Sequence, residues 1–175
     1  ADVYVKRFIT NGWQPLGNTL DVQAGQSALN SSIARTSTNL PVVAWDEADG
    51  SNDSRNVYVK EWSGTAWQLL GGALDKTLTR DAENPSIALR SDNRPTVAFQ
   101  EANNIYVRRW SGTAWVDIGS TALDTTLGKV ALTPSLALDT SKDKPVVAYA
   151  ENGNILVKKA NGVGAGSSAS IRVSG

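Results

Sequence analysis

One heptapeptide is written four times along the chain: DVYVKRF from Asp2, NVYVKEW from Asn56, NIYVRRW from Asn104 and NILVKKA from Asn154, at steps of 54, 48 and 50 residues. A period of this length marks a repeated supersecondary unit, each copy burying its apolar face on its neighbours. Three further segments keep the same period. LPVVAWDE from Leu40, RPTVAFQE from Arg94 and KPVVAYAE from Lys144 precede the heptapeptide, and SSIART from Ser31, PSIALR from Pro85 and PSLALD from Pro134 come earlier still. WQPLG from Trp13, WQLLG from Trp67 and WVDIG from Trp115 follow it.

Each unit thus holds four short runs rich in Val, Ile, Tyr, Phe and Trp, bounded by Gly, Asn, Asp, Ser or Pro, which is how strands and turns look in sequence. None has helical spacing. Pro41, Pro95 and Pro145 sit at strand entries, where a missing N–H costs least. Four antiparallel strands, repeated at roughly 40–50 residues, predict an all-β fold of β-propeller blades, with strands A to D in chain order.

The units run over about 1–20, 27–74, 84–123 and 133–175, which is about three and a half blades in one partial propeller domain. Propeller rings use roughly 4–8 blades, so the ring is expected to be completed by oligomerisation or by further chain; two copies would make seven. The chain begins ADVYV, which suits a processed secreted protein or a trimmed one.

Composition narrows the chemistry. Seventeen basic residues balance seventeen acidic ones, leaving no positive field for a nucleic-acid backbone. The chain has no Cys, His or Met, which removes thiol nucleophiles, imidazole bases and nitrogen- or sulfur-ligated metal sites. No run approaches the roughly 18 apolar residues of a membrane span. A non-enzymatic protein is expected.

The hexapeptide WSGTAW occurs at Trp62 to Trp67 and again at Trp110 to Trp115, joining the end of strand C to the start of strand D. Its tryptophans, with Trp13 in the first copy, read as aromatic residues that fill the wedge between adjacent blades, each hexapeptide pair as cross-strand neighbours, or as stacking platforms for a sugar ring. Strand B ends in an acid at Glu47, Glu101 and Glu151, and strand C carries a cation at Lys6, Lys60, Arg108 and Lys158. These charges read either as a repeated structural ion pair or as a polar pocket for ligand hydroxyls. A Leu-Asp recurs after strand D at Leu20, Leu74 and Leu123, opening the crossover to the next blade.

One insertion breaks the period: DEADGSNDSRN, from Asp46 to Asn56, stands where the next unit has QEANN. Asp46, Asp49, Asn52 and Asp53 offer the oxygen ligands that calcium prefers, without EF-hand spacing, and the alternative is a solvated loop. No other cofactor is expected.

The repeats are similar to those of bacterial extracellular β-propellers with tandem copies, and PSIAL, PTVAFQE and NIYVRRWSG together resemble blades of fucose-binding propeller lectins. That resemblance implies a site between blades built from an Arg, an acid and an aromatic. The matching residue types are Arg108, Glu101 and Trp110, with Lys60, Glu47 and Trp62 in the preceding unit, and the recurring Glu151 and Lys158 complete the set of candidate ligand-binding residues. Lysine replaces arginine in three of the four copies, and the Asp-box of sialidases is absent. The expected function is non-catalytic binding outside the cell or at its surface, with a glycan or a cell-surface protein as partner. The alternative is a structural or protein-interaction scaffold of a cell surface, filament or adhesin.

Overall fold

Runs such as VVAW at 42–45 are apolar without alternation, because a strand covered on both faces has no solvent side to mark. In the computed structural model, which describes residues 1–51, 54–119, 122–124, 129–139, 142–160 and 171–173, these runs are the middle strands of stacked antiparallel sheets. A two-stranded sheet comes first, β1 (Lys6–Ile9) with β2 (Gly12–Pro15). Three four-stranded sheets follow, each a meander in chain order. They are β3 (Ala28–Arg35), β4 (Pro41–Asp49), β5 (Ser54–Trp62) and β6 (Trp67–Leu69); β7 (Ala82–Leu89), β8 (Pro95–Glu101), β9 (Asn104–Trp110) and β10 (Trp115–Asp117); and β11 (Ala131–Asp139), β12 (Lys144–Glu151), β13 (Asn154–Lys159) and β14 (Ile171–Val173). Among the described residues no helix is long and apolar enough to cross a membrane.

The core lies between sheets. Val3 and Leu20 of the first sheet's region meet Val43, Trp45 and Tyr58 of the second. The other face of the second sheet, with Val42, Ala44, Val57 and Val59, meets Ile87, Val97, Phe99 and Trp115 of the third. Ala98, Ile105 and Val107 then meet Leu136, Val147, Tyr149 and Leu156 of the fourth. Alternate residues of one strand therefore serve two different interfaces.

Two boundaries differ from the sequence expectation. Strands β3, β7 and β11 begin about three residues before the SSIA, PSIA and PSLA runs, because a bulge lies between Leu29 and Ser32, Glu83 and Ser86, and Leu132 and Ser135. Asn30, Asn84 and Thr133 take positive φ there (49°, 52° and 47°), and the bulge accommodates Pro85 and Pro134 without a lost ladder bond. Pro145 is the second residue of its strand, whereas Pro41 and Pro95 are the first.

Candidate functional site

Recurring charges hold the crossover loops that follow the outer strands, while Lys6 is exposed on β1. Leu74 donates its N–H to the Val57 carbonyl at 2.9 Å, and Val57 donates its own N–H to the Asp75 carboxylate at 2.9 Å. The Leu-Asp pair thereby continues the ladder one step past strand D. Leu20 and Asp21 do the same to Val3, and Leu123 and Asp124 to Ile105. Burial pushes the Asp75 carboxyl up to about 7, since its Oδ2 has no partner and little water to replace one.

The next blade then grips the same loop. Glu47 accepts the backbone N–H groups of Val22 and Gln23 and the Trp45 indole N–H. Glu101 accepts those of Lys76 and Thr77 at 2.6 and 2.8 Å. The Lys60 ammonium donates to the Leu20 carbonyl and the Arg108 guanidinium to the Leu74 carbonyl, both at 2.6 Å, and Lys158 donates to the Leu123 carbonyl. Burial lowers the pKa of Lys60 and of Lys158. Glu47 and Lys60, and Glu101 and Arg108, do not pair with each other as an ion pair. Acid and cation bracket one loop, each satisfying backbone groups that the turn leaves open. Glu151 and Lys158 are likewise buried.

The tryptophans of the two hexapeptides pack against the preceding blade, while Trp13 is exposed. Trp62 and Trp67 pair edge-on with centroids 5.3 Å apart, and Trp110 and Trp115 are tilted at 5.4 Å. The Trp67 and Trp115 indoles donate to the carbonyls of Leu16 and Leu70 in the preceding blade, at 2.8 and 2.7 Å. The following residues, Gly17 and Gly71, have φ of +74° and +73°, and a Cβ there would come within 2.9 Å of Trp62 and 3.0 Å of Trp110. Glycine is what lets the rings sit that close.

In the inserted segment, β4 and β5 are longer than their counterparts and pair out to Asp49 and Ser54. Asp46 is buried and held by Arg55 at 2.6 Å and by the Asn84 N–H. Asp49 accepts from the Ser51 N–H and hydroxyl, which lower its pKa. Asn52 and Asp53 lie outside the described residues. The described carboxylates are thus engaged with protein donors, and among the described residues no group of three acids gathers around a point.

Among the described residues, one cluster occurs at a single junction. Asp117, at the end of β10, lies 3.0 Å from Arg108 Nε and accepts from the Lys76 ammonium, which stands 5.9 Å from the centre of the Tyr106 ring. The side chains of Lys76 and Asp117 are 34% and 39% exposed, Arg108 is 18% exposed, and Tyr106 is partly buried against the core, so the cluster is half-exposed with its acid and ammonium outermost. Burial, with the nearby Glu101 and Asp124 carboxylates, raises the Tyr106 pKa, so its hydroxyl stays protonated at neutral pH. The group can accept and donate hydrogen bonds at one spot beside the edge of a partly buried tyrosine.

No family model matches the chain, and no curated protein matches it in sequence. Among solved structures, it is similar to an Aleuria aurantia lectin mutant in complex with Fucalpha1-6GlcNAc, with a TM-score of 0.56 and 13% identity. The fold is a β-propeller. The match covers 96% of this chain and 53% of the lectin's, so the chain spans about half the length of that propeller.

Within the propeller frame, Arg108 is the only recurring candidate that also joins the exposed cluster. Lys76, Tyr106 and Asp117 escaped the sequence reading because it followed what recurs. The available signal was a departure: Asp117 stands where the other outer strands carry Pro15 and Leu69.

Proposed function

We propose that the chain is a non-catalytic, extracellular or cell-surface binding module whose ligand is a carbohydrate, held at Tyr106, Lys76, Asp117 and Arg108. The observation that carries this reading is the meeting of acid, cations and aromatic face at one half-exposed spot. A sugar needs that combination: vicinal hydroxyls pair with acceptor and donor side chains, and the C–H face of the ring lies on an aromatic. The lectin's complex with Fucalpha1-6GlcNAc favours fucosylated glycans as the first ligands to try. A glycan array tests it, comparing the native chain with Asp117→Ala/Lys76→Ala. Binding to at least one glycan, weakened by about tenfold or more in the variant, is expected; no glycan bound at all would refute it.

A second reading, a structural or protein-interaction scaffold, is favoured by one observation. Glu47, Glu101, Trp67 and Trp115 are all spent on contacts between blades. It expects no sugar binding and associations that Asp117→Ala leaves unchanged. Self-association that completes a ring fits either reading, and native mass measurement tests it: a discrete oligomer supports ring completion and a monomer opposes it.

A further inference from the structure

At the end of the sheets opposite the crossover loops, the turns that join the first two strands of neighbouring blades clasp each other. The Asn93 side chain accepts the Ser37 N–H, and the Asp143 carboxylate accepts the Ser91 N–H, both at 2.8 Å. The repeat itself needs no charge here, since the first of these turns is TSTNL at 36–40. Its successors are charged: Arg90 and Arg94 bound the second turn, and Lys142 and Lys144 flank Asp143 in the third. Arg109 stands across from Thr96, two residues past Arg94, and Lys159 across from Val146, two residues past Lys144. The same position in the preceding blade, across from Val42, is the acid Glu61.

Positive charge therefore gathers at one end of two adjacent blades. Around the two clasped turns the six cations Arg90, Arg94, Arg109, Lys142, Lys144 and Lys159 stand against Asp92, Asp139 and Asp143, a net of three positive charges in a chain whose total is zero. Each of these acids is engaged. Asp143 holds Ser91, Asp139 accepts from the Lys159 ammonium at 2.7 Å, and Asp92 lies 3.3 Å from the Arg90 guanidinium and 3.8 Å from that of Arg94. The side chains of Asp92 and Arg94 are 44% and 49% exposed, so theirs is a loose surface pair that the carboxylate of a ligand can replace. Arg90 donates from Nη2 to the Trp110 carbonyl and keeps a buried Nε without a protein partner, while Arg109 and Lys142 are exposed.

We infer that this end of the third and fourth sheets is a docking surface for an acidic polysaccharide, whose uronate or sulfate groups lie across the two turns. Guanidinium forks hold the oxygens of such anions in pairs, and Asp92 between Arg90 and Arg94 already shows a carboxylate in that position. The turn segments RSDNR at 90–94 and KDK at 142–144 bring no aromatic ring on which a base would stack and no apolar side chain that would enter a bilayer. That favours a carbohydrate polyanion over a nucleic acid or a membrane. The inference is independent of the sugar reading, because it shares no residue with the Tyr106 cluster and asks for anionic groups rather than vicinal hydroxyls.

The test is titration of the ¹⁵N-labelled chain with polygalacturonate and with dextran sulfate, against neutral dextran, at about 50 mM salt, where surface charges are weakly screened. Saturable shifts centred on residues 90–94, 109, 142–144 and 159 are expected with one polyanion or both, and none with dextran. Affinity should fall about tenfold or more when salt is raised to about 500 mM. Arg94→Leu/Arg109→Glu places the residue types of Leu40 and Glu61 at their counterpart positions, which the fold of the preceding blade already accepts. Checked for native circular dichroism, it should weaken binding by about tenfold or more, and Arg109→Glu alone, on an exposed side chain, should weaken it less. Lys76→Ala, in the other cluster, should bind as the native chain does. No saturable shift with either polyanion, shifts centred elsewhere, or full affinity in the double variant would overturn the proposal. So would tighter binding of a single-stranded oligonucleotide, or of phosphatidylglycerol vesicles, than of either polysaccharide.

Discussion

The indole of Trp67 donates its N–H to the carbonyl of Leu16, 51 residues earlier in the chain, at 2.8 Å, and the next residue is a glycine that such a ring can press against. Trp115 repeats the relationship with Leu70 one blade later. Each blade thus ends in a seat, and the next begins its outer hairpin with the ring pair that fills it. Replacing Gly71 by Ala sets a Cβ 3.0 Å from the Trp110 ring on a backbone at φ +73°. A loss of about 2–4 kcal/mol in urea unfolding is expected. Gly72→Ala, where a Cβ meets nothing within 4 Å, should cost under about 1 kcal/mol.

Glu101→Gln keeps the size of the side chain but replaces two charge-assisted acceptors with one neutral one. Lys76 and Thr77 would then lose part of their anchorage. The expected cost is about 1–3 kcal/mol, with faster amide exchange at Lys76 and Thr77. Glu61→Gln, on a partly exposed residue of the neighbouring blade, is the control and should be near neutral.

Asp75 makes stability depend on pH. Burial raises its folded pKa to about 7 from an unfolded value near 3.8, so between those values the native state binds a proton that the unfolded state has released. Its contribution therefore falls as pH rises from about 4 to 7 and is flat above. Asp75→Asn retains an oxygen for the Val57 N–H and carries no charge. Chemical denaturation at pH 8 should show it more stable than the native chain by roughly 2–4 kcal/mol, with the gain shrinking towards pH 4.

Arg55 neutralises Asp46, whose side chain is fully buried, and also donates to the Ser27 carbonyl. Arg55→Met would leave that carboxylate buried without its cation. A loss of about 3–5 kcal/mol is expected by thermal and chemical unfolding, largely relieved in the double variant Arg55→Met/Asp46→Asn.

The period and the strands were legible because a blade buried on both faces writes itself as unbroken apolar runs such as VVAW and TVAF. The recurrence of Glu47, Glu101, Lys60 and Arg108 was equally plain. Their aim was not, since spacing reports that a charge returns once per blade and says nothing of whether it faces its neighbour, a ligand or a loop. The starts of β3, β7 and β11 were hidden by bulges, whose left-handed residues Asn30, Asn84 and Thr133 share no single residue type. Asp117 was hidden differently. A residue that breaks the repeat carries no periodic signal, and its meeting with Lys76, 41 residues away, exists only once two blades are packed together.

A crystal structure of the chain with Fucalpha1-6GlcNAc or another glycan that it binds tests the site most directly. The expected result is a sugar ring against the Tyr106 face, with hydroxyls bonded to Asp117 and to Lys76 or Arg108. A sugar seated elsewhere, with these side chains unchanged and exposed to solvent, would contradict it.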